Sequence, residues 1–141
     1  MFELDDTRQK LIDCAGQIFS AKGFEAATVR EVCQAAGANI AAIHYHFGDK
    51  QRLYIECVKY AHCQHGMTLF DWPQGTSPQH KLTVLVTHML TMMVATDRPA
   101  WQIELMVREL ARPTAACRAL VEEFISDRKS TRLNSSHEFV S

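Results

Sequence analysis

The chain has 141 residues, 47% of them apolar and 22% charged, a size that allows one globular unit or one small domain with part of another. Its formal net charge is −1 with the histidines neutral, which excludes a nucleic-acid binder that works by bulk positive charge. No apolar run is long enough to cross a bilayer, and "MFELDD" lacks the apolar core of a secretory leader.

The five cysteines, Cys14, Cys33, Cys57, Cys63 and Cys117, are odd in number and form no C-x-x-C pair, so a reduced, cytoplasmic setting is expected. Strand signals are nearly absent and apolar residues recur at helical spacing, so an all-α fold is predicted. Helix one is expected from about Asp6 to Lys22, with Leu11, Ile12, Ala15, Ile18 and Phe19 as its apolar stripe, Gly23 as its cap and Phe24 as a plug behind it. Helix two starts at Thr28, where "TVRE" is a capping box between Thr28 and Glu31, and it ends at Gly37. Its apolar face is Val29, Val32 and Cys33. A short third helix runs from an Asn39 N-cap to about Phe47 and stops at Gly48. Asp49 caps helix four, which carries Leu53, Tyr54, Cys57, Val58 and Ala61 and fades near Met67.

"FDWPQGTSP" reads as a loop. Ser77-Pro78 opens helix five, whose stripe is Leu82, Leu85, Val86, Met89, Leu90, Met93 and Val94. Pro99 and Pro113 bracket helix six, with Trp101, Leu105, Met106 and Leu110. Thr114 opens helix seven, with Leu120, Val121, Phe124 and Ile125. The tail "DRKSTRLNSSHEFVS" is polar and serine-rich. From Asp127 to about His137 it resembles the translated read-through of a sequencing adapter, so the native sequence is expected to depart after about Ser126.

Two short helices joined at Gly37 behind a longer first helix have the order of a helix-turn-helix, with the third helix as the reader. At about 100° per residue, Ile43 and Phe47 turn toward helix one. Ile40, Ala41, His44 and Tyr45 then share a neighbouring face. Tyrosine and histidine there suit donation to phosphate oxygens. Ala41 and Ala42 allow close approach to the major-groove floor, and Ile40 and the alanines suit thymine methyls. Lys50 stands at the start of helix four, where backbone N–H groups also favour an anion. The first fifty residues carry Arg8, Lys10, Lys22, Arg30 and Lys50 against Glu3, Asp5, Asp6, Asp13, Glu25, Glu31 and Asp49, so DNA contact must depend on where charges sit.

The stretch "LIDCAGQIFSAKGFEAATVREVCQAAGANIAAIHYHFGDKQRLY", Leu11 to Tyr54, resembles the tetracycline-repressor (TetR) family of bacterial transcription regulators. "F-x-x-K-G-F", "T-V-R-E-V" and "Y-H-F-G-D-K" carry the resemblance together. It implies a three-helix reader with Thr28 anchoring phosphate, base contacts from Ile40, Ala41 and Ala42 beside Asn39, and phosphate contacts from His44, Tyr45, His46 and Lys50. Many family members carry tyrosine where His44 stands, and histidine changes charge near neutral pH. "RELARPTAACRALVEEF" is similar to one subgroup of the family.

The resemblance also implies that the later helices bind a small ligand and that the full-length protein is a homodimer. The expected organisation is a DNA-binding domain over 1–50, a connecting helix over 51–68, a partial effector-binding and dimerisation domain over 69–126, and a non-native tail over 127–141. Met89, Met93, Trp101, Leu105 and Met106 are the candidate pocket residues, although methionines and tryptophan at helical spacing also build plain core. This length of chain is expected to lack the dimer interface and to expose apolar faces of helices five to seven.

Other readings are weaker. His44 and His46 lie on opposite sides of a helix and do not chelate one metal; His62, Cys63 and His65 with Cys57 are nearer to a ligand set, but a polar helix end explains them. Cys14, Cys33 and Cys57 suit packing better than redox sensing. Glu104, Glu109, Glu122 and Glu123 are not paired as acid and base, and no nucleophile elbow or phosphate loop is present. No cofactor, metal or enzymatic activity is read from the sequence. A DNA-binding regulator, of the repressor type, is the expected function; a helical protein-interaction module or a small all-α enzyme are the alternatives.

Overall fold

The computed structural model describes residues 2–63, 72–94, 97–122 and 126. In chain order the helices are α1 (Phe2–Ala26), α2 (Val29–Ala36), α3 (Ile40–His46), α4 (Lys50–Cys63), α5 (Pro78–Val94) and α6 (Ala100–Ala111), followed by α7 over residues 115–122. No strand occurs among the described residues. The tail from residue 127, and with it the adapter-like stretch, lies outside them, as do Phe124, Ile125 and the end of helix four near Met67.

Helix α1 begins at Phe2, before Asp6, and Asp5 and Asp6 near its start suit the positive end of the helix dipole. It is two helical segments in one span. Gly23, at φ 82° and ψ 171°, breaks the run in a region essentially reserved for glycine, and a single turn to Ala26 follows. Local chemistry then sets each boundary. Glu31 N–H donates to Thr28 Oγ1 at 3.2 Å, and the Glu31 carboxylate accepts from Thr28 N–H at 2.9 Å. Gly37 closes α2 in the left-handed region at φ 64°. Asn39 Oδ1 accepts from Ala42 N–H at 3.1 Å, and Asp49 Oδ1 accepts from Arg52 N–H at 2.8 Å. These side-chain caps satisfy helix-start donors that would otherwise lack partners.

The core runs through α1, α2, α3, α4, α6 and α7. Leu11, Ile12, Ala15 and Phe19 of α1 are buried with Leu53, Tyr54, Cys57, Val58 and Ala61 of α4, Trp101 and Leu105 of α6, and Ala116 of α7. Close approach of α6 to α1 depends on Gly16. A Cβ there would fall within 2.6 Å of Trp101 Cη2 and nearer still to two other ring carbons. The indole also stacks on Tyr60, with centroids 6.3 Å apart and planes at 12°.

Polar ties from the α6 region reinforce this packing. The buried Arg98 guanidinium donates to the Ala61 carbonyl at the end of α4. Arg108 Nη2 donates to the Ser20 and Ala21 carbonyls at 3.1 and 3.4 Å, which the break at Gly23 leaves near a helix end. Glu109 is 3% exposed. Its Oε2 accepts from Tyr54 Oη at 2.7 Å; its Oε1 accepts from Thr114 N–H and Oγ1, both at 2.7 Å, and from Cys117 N–H at 3.2 Å. One carboxylate thus caps α7 and ties it to α4.

Helix α5 differs. Leu82, Leu85, Val86, Met89, Leu90, Met93 and Val94 are all exposed, and Met92 is its buried residue. The apolar face is formed as expected but meets no partner among the described residues that would bury it.

Candidate nucleic-acid interface

Helix α3 has two faces. Ile43 and Phe47 are 1% and 6% exposed, while Ile40 and Tyr45 are 57% and 72% exposed. Ala41 and His44 are exposed, and Ala42 and His46 half-buried. The apolar anchors hold a short helix whose outer side offers an isoleucine, alanines, an imidazole and a phenol. The Tyr45 ring meets His46 edge-on at 5.0 Å. Arg8 lies over the Phe47 ring at 5.3 Å and pairs with Glu56 at 3.0 Å, bracing α3 against α1 and α4.

The polar groups are differently prepared for a phosphate. His44 Nδ1 is 2.7 Å from the Gly48 carbonyl oxygen, so Nδ1 carries a proton and donates it. In the neutral ring Nε2 is then a lone-pair acceptor. Thr28 Oγ1 donates to Glu31 Oε2 at 3.0 Å, and Asn39 Oδ1 is used in the α3 cap, so the side chains of both are engaged in starting helices. Glu31 is also paired with Lys22. That ion pair, then the Thr28 hydrogen bonds, lower its carboxyl pKa to about 2.

Lys50 is half-buried. Its Nζ sits 4.5 Å from the Phe24 ring centroid and 3.4 Å from the Glu25 carbonyl oxygen. The sequence places Phe24 as a plug after Gly23. Its role beneath Lys50 joins residues far apart in sequence, and the only local signal was an aromatic residue following the break.

Residues 11–57 match the bacterial regulatory proteins of the tetR family, and residues 78–133 match the C-terminal domain of the HTH-type transcriptional dual regulator CecR. The chain belongs to the TetR family. Similar proteins include the HTH-type transcriptional regulator AcrR of Shigella flexneri, 30% identical over 107 residues, covering 74% of this chain and 49% of the relative. The dual regulator CecR of the same organism is 30% identical over 133 residues, covering 86% and 59%. The repressor AcnR of Corynebacterium efficiens is 40% identical over 50 residues, covering 36% and 27%. The chain therefore spans about half the length of the first two. The TetR family is one of transcriptional regulators, not of enzymes. The match in the second part of the chain runs to residue 133, past Ser126, and gives a non-native boundary there no support.

In this TetR-family chain the candidate effector residues fall into separate environments. Met89 and Met93 are 42% and 50% exposed on α5. Trp101 and Leu105 are buried in the core that α6 shares with α1 and α4, and Met106 is half-buried with its sulfur 3.9 Å from Arg98 Nη1. A cleft of about 440 Å³ lies instead between the end of α1, the start of α4 and the α6–α7 junction, lined by Phe24, Gln51, Tyr54, Arg108, Arg112 and Thr114 among others.

The Tyr54 phenol is pushed above its ordinary range, by burial first and then by Glu109. Burial pushes the Cys57 thiol up as well, and its Sγ donates to the Ile12 carbonyl at 3.7 Å, so it is packing material rather than a thiolate. His62 is shifted toward the neutral form by burial and then by Arg98. His65 and the Cys63 side chain lie outside the described residues, and no group of three metal-binding side chains occurs among those described. No described helix is long and apolar enough to cross a membrane.

Proposed function

We propose that the full-length protein is a ligand-responsive DNA-binding transcriptional regulator, acting as a repressor, with α3 as its reader. The observation that carries this is the outward face of α3, with Tyr45 and Ile40 exposed while Ile43 and Phe47 lock the helix to the core. In this reading Ile40, Ala41 and Ala42 meet base edges and thymine methyls, with Asn39 at their side. Tyr45, His44, His46, Lys50 and the Thr28 end of α2 address phosphates. A two-fold homodimer would set two readers about 34 Å apart on a palindromic operator. A small-molecule effector held by the second part of the protein, with Met89, Met93, Trp101, Leu105 and Met106 as candidate contributors, would favour one spacing of the readers over another.

Binding to mixed-sequence DNA duplexes across a salt series tests the reading. Lys50→Ala should weaken binding to all duplexes about equally and reduce the salt slope by about one. Changes at Ile40 or Ala41 should alter sequence preference instead. A full-length protein that binds no duplex at low salt refutes the proposal and favours a protein-interaction module.

A further inference from the structure

We infer that Phe24 is a positioning residue for the DNA contact of Lys50, and that its ring is itself held in place from α6 through Tyr54 and Glu109. The inference rests on the proposed Lys50–phosphate contact and adds what prepares it.

A lysine side chain has rotamer freedom to lose when it is fixed against a phosphate. Here part of that ordering exists before DNA arrives. The ammonium lies over the Phe24 ring at 4.5 Å and points one N–H toward the Glu25 carbonyl at 3.4 Å. An ammonium has three donors. With the ring on one side and the carbonyl on another, the outward direction stays open to a phosphate oxygen. Glu25 is three residues before Thr28, so the charge is held beside the start of α2, where the other proposed phosphate anchor stands.

The ring is not a loose support. Tyr54 meets Phe24 edge-on, with centroids 5.2 Å apart and planes at 63°, and Phe19 stacks at 6.3 Å and 23°. Tyr54 is 2% exposed, and its hydroxyl is tied to Glu109 Oε2 at 2.7 Å. Glu109, Tyr54, Phe24 and Lys50 therefore form an unbroken series of contacts from the end of α6 to the start of α4. Movement of Glu109 displaces the ring on which the ammonium rests.

The test is a double-mutant cycle, read by fluorescence anisotropy of a short mixed-sequence duplex over a salt series, with circular dichroism confirming that each variant is folded. Phe24→Leu should weaken binding about two- to five-fold, the range of a partly exposed cation–π contact, with the salt slope unchanged because the lysine charge is still present. Phe24→Tyr keeps the π face and should keep the affinity. In a Lys50→Ala background, Phe24→Leu should have no further effect. Equal weakening by Phe24→Leu with and without Lys50 overturns the inference and leaves the DNA reading intact, as does loss of affinity in Phe24→Tyr. A Lys50→Ala protein with wild-type affinity and slope removes the phosphate contact, and the inference falls with it.

Discussion

Replacing Glu109 by alanine should be among the most costly single changes in this chain, and the cost follows from what each of its partners does afterwards. Thr114 is exposed, so its N–H and hydroxyl find water. The Tyr54 hydroxyl, on a residue 2% exposed, keeps only Thr114 as a hydrogen-bonding side chain; a buried donor left poorly paired costs about 1–3 kcal/mol. Loss of the carboxylate cap on α7 adds about 1–2 kcal/mol. Relief of the desolvation cost of a buried carboxylate offsets part of this. The net expectation is a loss of about 2–4 kcal/mol, or a fall in Tm of roughly 7–15 °C for a chain of this size. Differential scanning calorimetry measures it directly. Tyr54→Phe alone should cost about 1 kcal/mol, and in the Glu109→Ala background it should cost nothing and recover part of the loss, because it removes the hydroxyl that has lost its carboxylate partner. A Glu109→Ala protein that melts with the wild type, or a Tyr54→Phe cost that survives the loss of Glu109, refutes the hub.

Gly16→Ala should destabilise although alanine is the better helix former by about 1 kcal/mol, since the added carbon overlaps the Trp101 ring and overpacking of this kind costs about 1–3 kcal/mol; pairing it with Trp101→Leu should recover part of the loss in thermal melts. Glu31 titrates well below its ordinary value of 4.5, at about 2. Its contribution to stability is therefore present above 4.5 and lost as pH falls toward 2, so urea unfolding midpoints of Glu31→Gln should fall less steeply than those of the wild type across that window. His44→Tyr should tighten binding to mixed-sequence DNA. The imidazole spends its Nδ1 proton on Gly48, whereas a phenol always has one to offer; equal affinities would remove His44 from the phosphate contacts.

What was legible in the sequence was local. Thr28 with Glu31, Gly37, Asn39 and Asp49 each act within four residues of themselves, so their side-chain chemistry announces the helix ends. The exposed side of α3 was legible for a related reason, since a seven-residue helix with Ile43 and Phe47 turned inward leaves Ile40, His44 and Tyr45 little choice. The ties between distant residues were not legible. Nothing near Glu109 distinguishes it from Glu104 or Glu122; its importance comes from Tyr54, fifty-five residues away, and from the α7 start folding back onto it. Gly16 reads as a mild flaw in α1 until Trp101 is placed against it. The α5 stripe marks a limit of a different sort, because periodicity tells which residues share a face and not what that face will meet.

The residues Arg98, Arg108 and Glu109 also bear on how such regulators can be recombined. A chimera that grafts this reader, cut after α4, onto the body of another regulator would strand the carbonyls of Ser20, Ala21 and Ala61 and the phenol of Tyr54. Transplants that carry residues 98–117 along with the reader should fold and keep its aim, whereas a graft of the first four helices alone would hand a foreign body a reader with its back unsupported.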